Sequence, residues 1–261
     1  MPPKREKGKG KAAVPTGASA ETGTPDVVVQ DHFATLSPWR LPVPNTAELV
    51  TLLPDQLYTI DGLLSPTDCQ ALISAAETHG FIAAQKGARP RKGDAFRDAG
   101  RIALDTHQDL AAQMARLLLP VIAREPCLAT GCVGLSANVR LYRYDRGGSF
   151  GAHYDQTVPA LGVSSDVSTA AGTTHFTVLI YLSGTTDDPV VGGETVFYTN
   201  DNAKPGNLVA AVAPVQGRAL LHRHGDACLL HEGAVVAKGT KYVLRSDLVY
   251  STRSPARGKR K

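Results

Sequence analysis

The stretch "ANVRLYRYDRGGSFGAHYD", residues 137–155, reads as two β-strands joined by a turn that carries Gly147 and Gly148. Its closing residues place His153 and Asp155 two apart. On a strand, positions i and i+2 point to the same face, so an imidazole and a carboxylate with this spacing can converge on one ion. Two ligands do not make a site, and the stretch first establishes texture. That texture continues through "HFTVLIYL" (175–182), "ETVFY" (194–198), "LVAAVAP" (208–214), "GRALLHR" (217–223), "ACLLHE" (227–232) and "TKYVLRSDLVY" (240–250). Eight short strands in about 115 residues, with no helical period between them, predict an antiparallel sandwich or barrel such as a jelly roll.

Two helices are expected upstream. "SPTDCQALISAAETHG" (65–80) starts with Ser65 as cap, Pro66 in the first helical position and Asp68 at capping-box spacing, and Gly80 closes it. Cys69, Leu72, Ile73 and Ala76 form its apolar face. The second runs from Thr106 to about Leu119, capped by Asp105, with Leu110, Met114, Leu117 and Leu118 on one side and Pro120 at its end. Helices packed outside one sheet make the class mainly β with flanking helices (α+β). No fixed-period repeat is present.

A chain of 261 residues with 43% hydrophobic content holds one substantial core with flexible ends. Residues 1–30 read as a disordered basic tail, 31–54 as an extended lead-in, 55–252 as the folded domain and 253–261 as a second basic tail. The formal charge of +4 is unevenly spread: residues 1–24 carry +3 and residues 253–261 carry +5, and subtracting both leaves the intervening segment at about −4. The tails suit nuclear localisation, a weak hold on nucleic acid, or plain solvated ends. The acidic balance of the core argues against a groove that tracks phosphates.

No apolar run approaches the ~20 residues that span a bilayer, so no membrane association is expected. The N-terminus has charges but no apolar h-region, so a nuclear and/or cytoplasmic location is expected. Cys69, Cys127, Cys132 and Cys228 are scattered and form no C-x-x-C pair, which predicts free, mostly buried thiols.

A third ligand must come from the other histidines. His32 lies in the lead-in, His79 and His107 sit near helix ends, and His175 opens a strand, which leaves His222, His224 and His231. A 2-His-1-carboxylate triad leaves positions open on Fe(II), and an acidic co-substrate bound there needs a cation nearby. Lys241 stands ten residues after His231, whereas the same step from His222 and His224 reaches Glu232 and Ala234. His222 and His224 are therefore read as structural.

Taken together, His153-Tyr154-Asp155, then Gly192-Gly193-Glu194-Thr195, then His231 and Lys241 resemble the iron(II)- and 2-oxoglutarate-dependent dioxygenases, specifically the prolyl 4-hydroxylase-like branch. The resemblance covers roughly residues 55–252 and rests on four elements in the right order. It implies a double-stranded β-helix core over about 137–251, with Fe(II) held by His153, Asp155 and His231, the catalytic set. It also implies that Lys241, Tyr144 and Tyr181 bind the 2-oxoglutarate co-substrate. Arg245, on the same strand face as Lys241, is the alternative cation. Oxygen is the second co-substrate, succinate and carbon dioxide are the co-products, and ascorbate is expected as reductant. The bland alternatives are half-buried strand tyrosines and a glycine pair that only makes a turn.

The chain departs from the collagen-type pattern. Those relatives carry a tryptophan six residues after the lysine, where this sequence has Asp247. Asp247 and Arg101, the latter ending "FRDAGR", are the candidates for substrate contact. "TVPALGVSSDVSTAAGTT" (157–174) reads as a long polar loop that acts as a substrate lid. The expected activity is hydroxylation of a side chain of a protein or peptide partner, with a prolyl residue the leading candidate. The alternatives are an oxygenase acting on nucleic acid or a small molecule, and a catalytically silent jelly-roll module that binds metal or a partner.

Overall fold

The computed structural model describes residues 31–34, 47–84, 95–166, 168–199, 203 and 205–252, and the two basic tails expected from the sequence lie outside them. In chain order the elements are β1 (Glu48–Leu53), β2 (Leu57–Asp61), α1 (Pro66–His79), β3 (Ile82–Ala84), β4 (Arg97–Leu104), α2 (Gln108–Ile122), α3 (Pro126–Ala129), β5 (Cys132–Ser136), β6 (Val139–Tyr144) and β7 (Ser149–His153). There follow β8 (Pro159–Val163), β9 (Thr169–Tyr181), β10 (Val191–Gly192), β11 (Thr195–Tyr198), β12 (Leu208–Val212), β13 (Ala219–Arg223), β14 (Leu230–Gly233), β15 (Val236–Lys238) and β16 (Lys241–Ser251).

The strands build a jelly roll of two facing walls. One wall runs β2–β13–β9–β16–β6–β4, with Val243 of β16 opposite both Tyr181 of β9 and Tyr142 of β6. The other runs β7–β14–β11–β12. Strand β4 serves both: Gly100–Leu104 pair with β6, while Arg97 and Asp98 pair with β7.

Strand alternation divides the interior into two cores. Phe176, Val178 and Ile180 of β9 and Leu244 and Leu248 of β16 point outward onto the helices, meeting Leu72, Leu110, Met114 and Leu118. The alternate residues point between the walls, where Tyr144, Tyr181, Phe197, Leu220 and Val243 pack together. Each fully buried aliphatic or aromatic side chain contributes roughly 1.5–3 kcal/mol. The central strands are therefore held from both faces, which makes them a rigid mount for what they carry inward.

Helix α1 begins as expected, with the Ser65 Oγ accepting from the Asp68 amide at 3.1 Å and Gly80 at its C-cap with φ of 90°. Helix α2 departs from expectation at both ends. His107 caps it, its Nδ1 accepting from the Leu110 amide at 3.2 Å, and Pro120 lies inside the helix, which continues to Ile122. A proline forfeits one backbone bond, and the buried Leu117, Leu118 and Ile122 hold the last turn in place.

Two further expectations are corrected. The sheet does not start near Ala137, because five strands precede it, including β1 inside the presumed lead-in. Strand β2 is buried on both faces and β4 reads "RDAGRIAL", so neither shows period-two alternation. The presumed lid at 157–174 is largely a hairpin of β8 with the first half of β9, in register from Pro159↔Thr173 to Val163↔Thr169. Its small residues reflect crowding, since a Cβ on Gly162 would press on Val133 and Val249 and one on Gly172 on the Tyr250 carbonyl.

The Gly192-Gly193 pair is held with φ of 74° and 70°, a region that disfavours side chains. A methyl on Gly192 would strike the Val235 carbonyl, and one on Gly193 would come within 3.2 Å of the Lys241 Cδ. Gly192→Ala is therefore expected to cost about 1–2 kcal/mol or more. Urea unfolding checks this, and an unchanged midpoint would mean that the turn relaxes freely.

Candidate metal centre

The two walls bring His153, Asp155 and His231 together. His153 ends β7 and His231 lies directly opposite it on β14, so the two imidazoles meet across one strand pair, ring centroids 4.3 Å apart. Asp155 follows immediately after β7 and turns back toward both. Its Oδ1 lies 3.8 Å from the His153 Nε2, and its Oδ2 lies 3.7 Å from the His231 Nε2. One donor atom from each residue falls within a 4.8 Å cluster.

The remaining ring nitrogens fix the tautomers. The His153 Nδ1 is 2.9 Å from the Gly151 carbonyl and the His231 Nδ1 is 2.9 Å from the Leu229 carbonyl. A carbonyl only accepts, so each Nδ1 carries the proton and each Nε2 presents a lone pair to the cluster. Burial, reinforced by His231 close by, pulls the His153 pKa down to about 3, and burial also lowers that of His231. Both rings are neutral near pH 7, the state in which imidazole binds metal.

Asp155 is 7% exposed, and burial by itself would favour its protonated form. Arg245 overrides this. Its Nη2 lies 3.0 Å from the Asp155 Oδ2, and with the surrounding imidazoles it holds the carboxyl well below the usual carboxylate range. Thr177 donates to the same oxygen at 2.9 Å. Two neutral imidazole lone pairs and one ionised carboxylate form a donor set suited to a divalent transition metal.

The two cations on β16 do different things. Arg245 is fastened to Asp155 and lies 3.6 Å from Asp247, so it orients the cluster. Lys241 is buried across the same cavity, donates to the Gly193 carbonyl at 2.7 Å, and sits 5.3 Å and 5.5 Å from the ring centroids of Tyr144 and Tyr181. Burial brings its pKa down to about 8, against an opposing pull from Glu194. Tyr144 lines the cavity directly, while the Tyr181 hydroxyl bonds the Thr195 Oγ1 at 2.7 Å and Thr195 forms the wall.

Two expected placements, those of Arg101 and His222, differ in the structure. Arg101 does not line the cavity. The β4 arginine that does is Arg97, four residues earlier, whose guanidinium lies 3.7 Å above the Phe150 ring, itself stacked on His153 at 3.7 Å. Asp247 lines a groove that opens beside His153 and Asp155, so it faces the site from the substrate side. His222, read as structural, in fact points into the cluster, with its Nε2 3.7 Å from the Asp155 Oδ2 and its ring 4.5 Å from that of His231. Its position on β13, alternating with outward-facing Leu221, was the available signal. His224 keeps a structural role, bonded to Thr177 at 3.0 Å and Thr174 at 2.9 Å. All four cysteines are free.

A family model described as "2OG-Fe(II) oxygenase superfamily" matches residues 139–246, a span that holds the whole cluster and Lys241. Among curated proteins, none matches the sequence. Among solved structures, a prolyl-4-hydroxylase from Pseudomonas putida is similar at 15% identity and a TM-score of 0.50, covering 76% of this chain and 94% of that one. The viral collagen prolyl hydroxylase from Paramecium Bursaria Chlorella virus-1, in its 2OG complex, is similar at 19% identity and a TM-score of 0.49, covering 74% and 95%.

Proposed function

We infer that this chain is a member of the 2OG-Fe(II) oxygenase superfamily and an oxidoreductase that hydroxylates a side chain of a protein or peptide, with a prolyl residue the leading candidate. The observation that carries the reading is one cavity with His153, Asp155 and His231 at one end and buried Lys241 at the other. The donor set fits Fe(II), and His153, Asp155 and His231 would hold it; the bound ion supplies redox chemistry and positions for 2-oxoglutarate and oxygen.

The protein's own residues do the positioning. Gly151 and Leu229 aim the imidazoles through their Nδ1 protons, and Arg245 and Thr177 keep the Asp155 carboxylate ionised and turned inward. Lys241 offers its charge to the far carboxylate of 2-oxoglutarate in a site walled by Tyr144, Leu179 and Val243, where low polarity strengthens the pairing. The substrate approaches from the neighbouring groove, whose rim carries the exposed side chains of Tyr154, Val158 and Leu161 beside Gln156 and Asp247. Exposed apolar and aromatic side chains on a groove otherwise lined with polar groups and charges of both signs suit an extended peptide, and Asp105 and Asp247 on it would repel a phosphate backbone. Ascorbate as reductant belongs to the same proposal.

The test is anaerobic addition of Fe(II) and 2-oxoglutarate, which should give the visible charge-transfer band of the chelate. In air, a peptide library should then show gain of one oxygen atom matched by succinate. If neither the band nor succinate forms, the proposal is wrong.

Lys241 also predicts a pH dependence. Its ammonium is charged below about 8 and neutral above it, and only the charged form attracts a carboxylate. The KM for 2-oxoglutarate should therefore rise as pH climbs through that value in the free enzyme, tending toward about tenfold per unit. Lys241→Arg, which stays charged, should flatten the slope. A wild-type KM that is flat from neutral to alkaline pH would remove Lys241 from the role.

A further inference from the structure

We propose that His222, Cys228 and His231 form a second, sulfur-containing metal site that takes a thiophilic divalent ion such as Zn(II), sharing His231 with the oxygen-containing set. One donor atom from each of the three lies within a 4.8 Å cluster. The Cys228 Sγ is 3.8 Å from the His231 Nδ1, the nitrogen bonded to the Leu229 carbonyl, a bond that metal binding would exchange for a metal–nitrogen bond. Zinc bonds of about 2.0–2.1 Å to nitrogen and 2.3 Å to sulfur in a tetrahedron space such a pair about 3.5 Å apart, so little movement is needed. His222 supplies an independent sign of a ligand. It is 1% exposed, and its Nδ1 has no hydrogen-bond partner among the described residues, a costly state for a buried polar atom.

Chain order explains how the three donors meet. Strand β13 delivers His222 to the inside of one wall, the turn at Gly225–Ala227 reverses the chain, and β14 returns His231 on the other wall with Cys228 just before it. The Cys228 sulfur accepts from the Asp155 amide at 3.4 Å, so it sits behind the carboxylate set rather than in the groove. Binding replaces the S–H bond with an S–metal bond and releases the proton to solvent, with no change of oxidation state. A thiolate among the donors selects softer ions, whereas the carboxylate set suits Fe(II). Coordination at the His231 Nδ1 shifts the ring proton to Nε2, the nitrogen that the oxygen-containing set uses, so occupancy of one set withdraws a ligand from the other. Zn(II) would thus exclude Fe(II) by ligand competition.

The inference rests on the proposed function only through the shared His231, and Co(II) added anaerobically to the full chain separates the two. Wild type and His153→Ala, which breaks only the oxygen-containing set, should both show the near-ultraviolet thiolate-to-cobalt band with release of a proton. Cys228→Ser should lose the band while keeping an acceptor for the Asp155 amide and keeping the visible Fe(II)–2-oxoglutarate band. His222→Asn should weaken Co(II) binding at the sulfur site about tenfold or more, with circular dichroism confirming that it folds. Absence of the thiolate band in wild type, or its survival in Cys228→Ser, would overturn the site. A thiolate band without any Fe(II)–2-oxoglutarate band would instead leave this site standing and remove the proposed function.

Discussion

Asp155→Ala is expected to abolish turnover and to lower unfolding stability by about 3–5 kcal/mol, because it removes a metal ligand and the partner of a buried charge together. Activity should fall by more than the roughly 10–100-fold that loss of an outer partner costs, since the carboxylate itself is gone. The stability loss comes from Arg245, whose Nη2 lies 3.0 Å from Asp155 and, once Asp155 is removed, keeps the Asp247 carboxylate at 3.6 Å and the Thr177 hydroxyl at 3.4 Å. Adding Arg245→Met should restore most of the stability and none of the activity, as removing both halves of a buried ion pair is far milder than removing one. Urea unfolding and succinate formation read the two effects separately. Retained turnover in the single variant would end the ligand assignment, and unchanged stability would end the charge-pair account.

The same pair sets an acid limit. The folded-state pKa of Asp155 is depressed below its ordinary 3.8, so its stabilising contribution is fully present above that value. It is lost as pH falls toward the depressed value, when the carboxyl protonates and Arg245 is stranded.

Lys241→Ala is the second large effect. A buried, hydrogen-bonded charge pair is worth about 2–5 kcal/mol when one partner is truncated, which corresponds to roughly 30-fold to several-thousand-fold in the KM for 2-oxoglutarate. The Fe(II) site itself should be spared, because Lys241 contacts Gly193 and the tyrosine rings rather than the cluster. Metal affinity measured by competition should therefore stay within a fewfold of wild type while 2-oxoglutarate dependence shifts strongly. If KM did not move, the cation for the co-substrate would have to lie elsewhere.

Much of this was legible in the sequence because strand geometry is regular. The step from His153 to Asp155, the glycine pair and the step from His231 to Lys241 are short-range spacings that pleating converts directly into position. What escaped was set by the other side of the sheet. Strand character in β9 is legible only from His175 onward, because its first half, "TAAGTT", is small and polar, with Gly172 crowded by Tyr250 and Val249. Arg97 and Arg101 share a strand face, and only the switch of β4 from β6 to β7 decides that Arg97 reaches the cavity. His222 has no cation ten residues downstream to mark it, and its role depends on which way β13 turns its alternate residues. That is a tertiary fact, visible only once β2 and β9 flank it.

Strand β16 acts as a gauge. Arg245, anchored to Asp155, marks the metal end of the cavity, and Lys241, four residues away on the same face, marks the far end. Between them the backbone rises roughly 13 Å, a span that side-chain motion cannot alter while β6 and β9 grip both edges of the strand. Main-chain pitch thus fixes the separation of the two attachment points, while the Gly193 carbonyl and Asp155 fix where the charged ends lie. Under the proposed function, that pitch counts carbons. A 2-oxo diacid one methylene shorter or longer than 2-oxoglutarate is therefore expected to pair less well with the Lys241 ammonium.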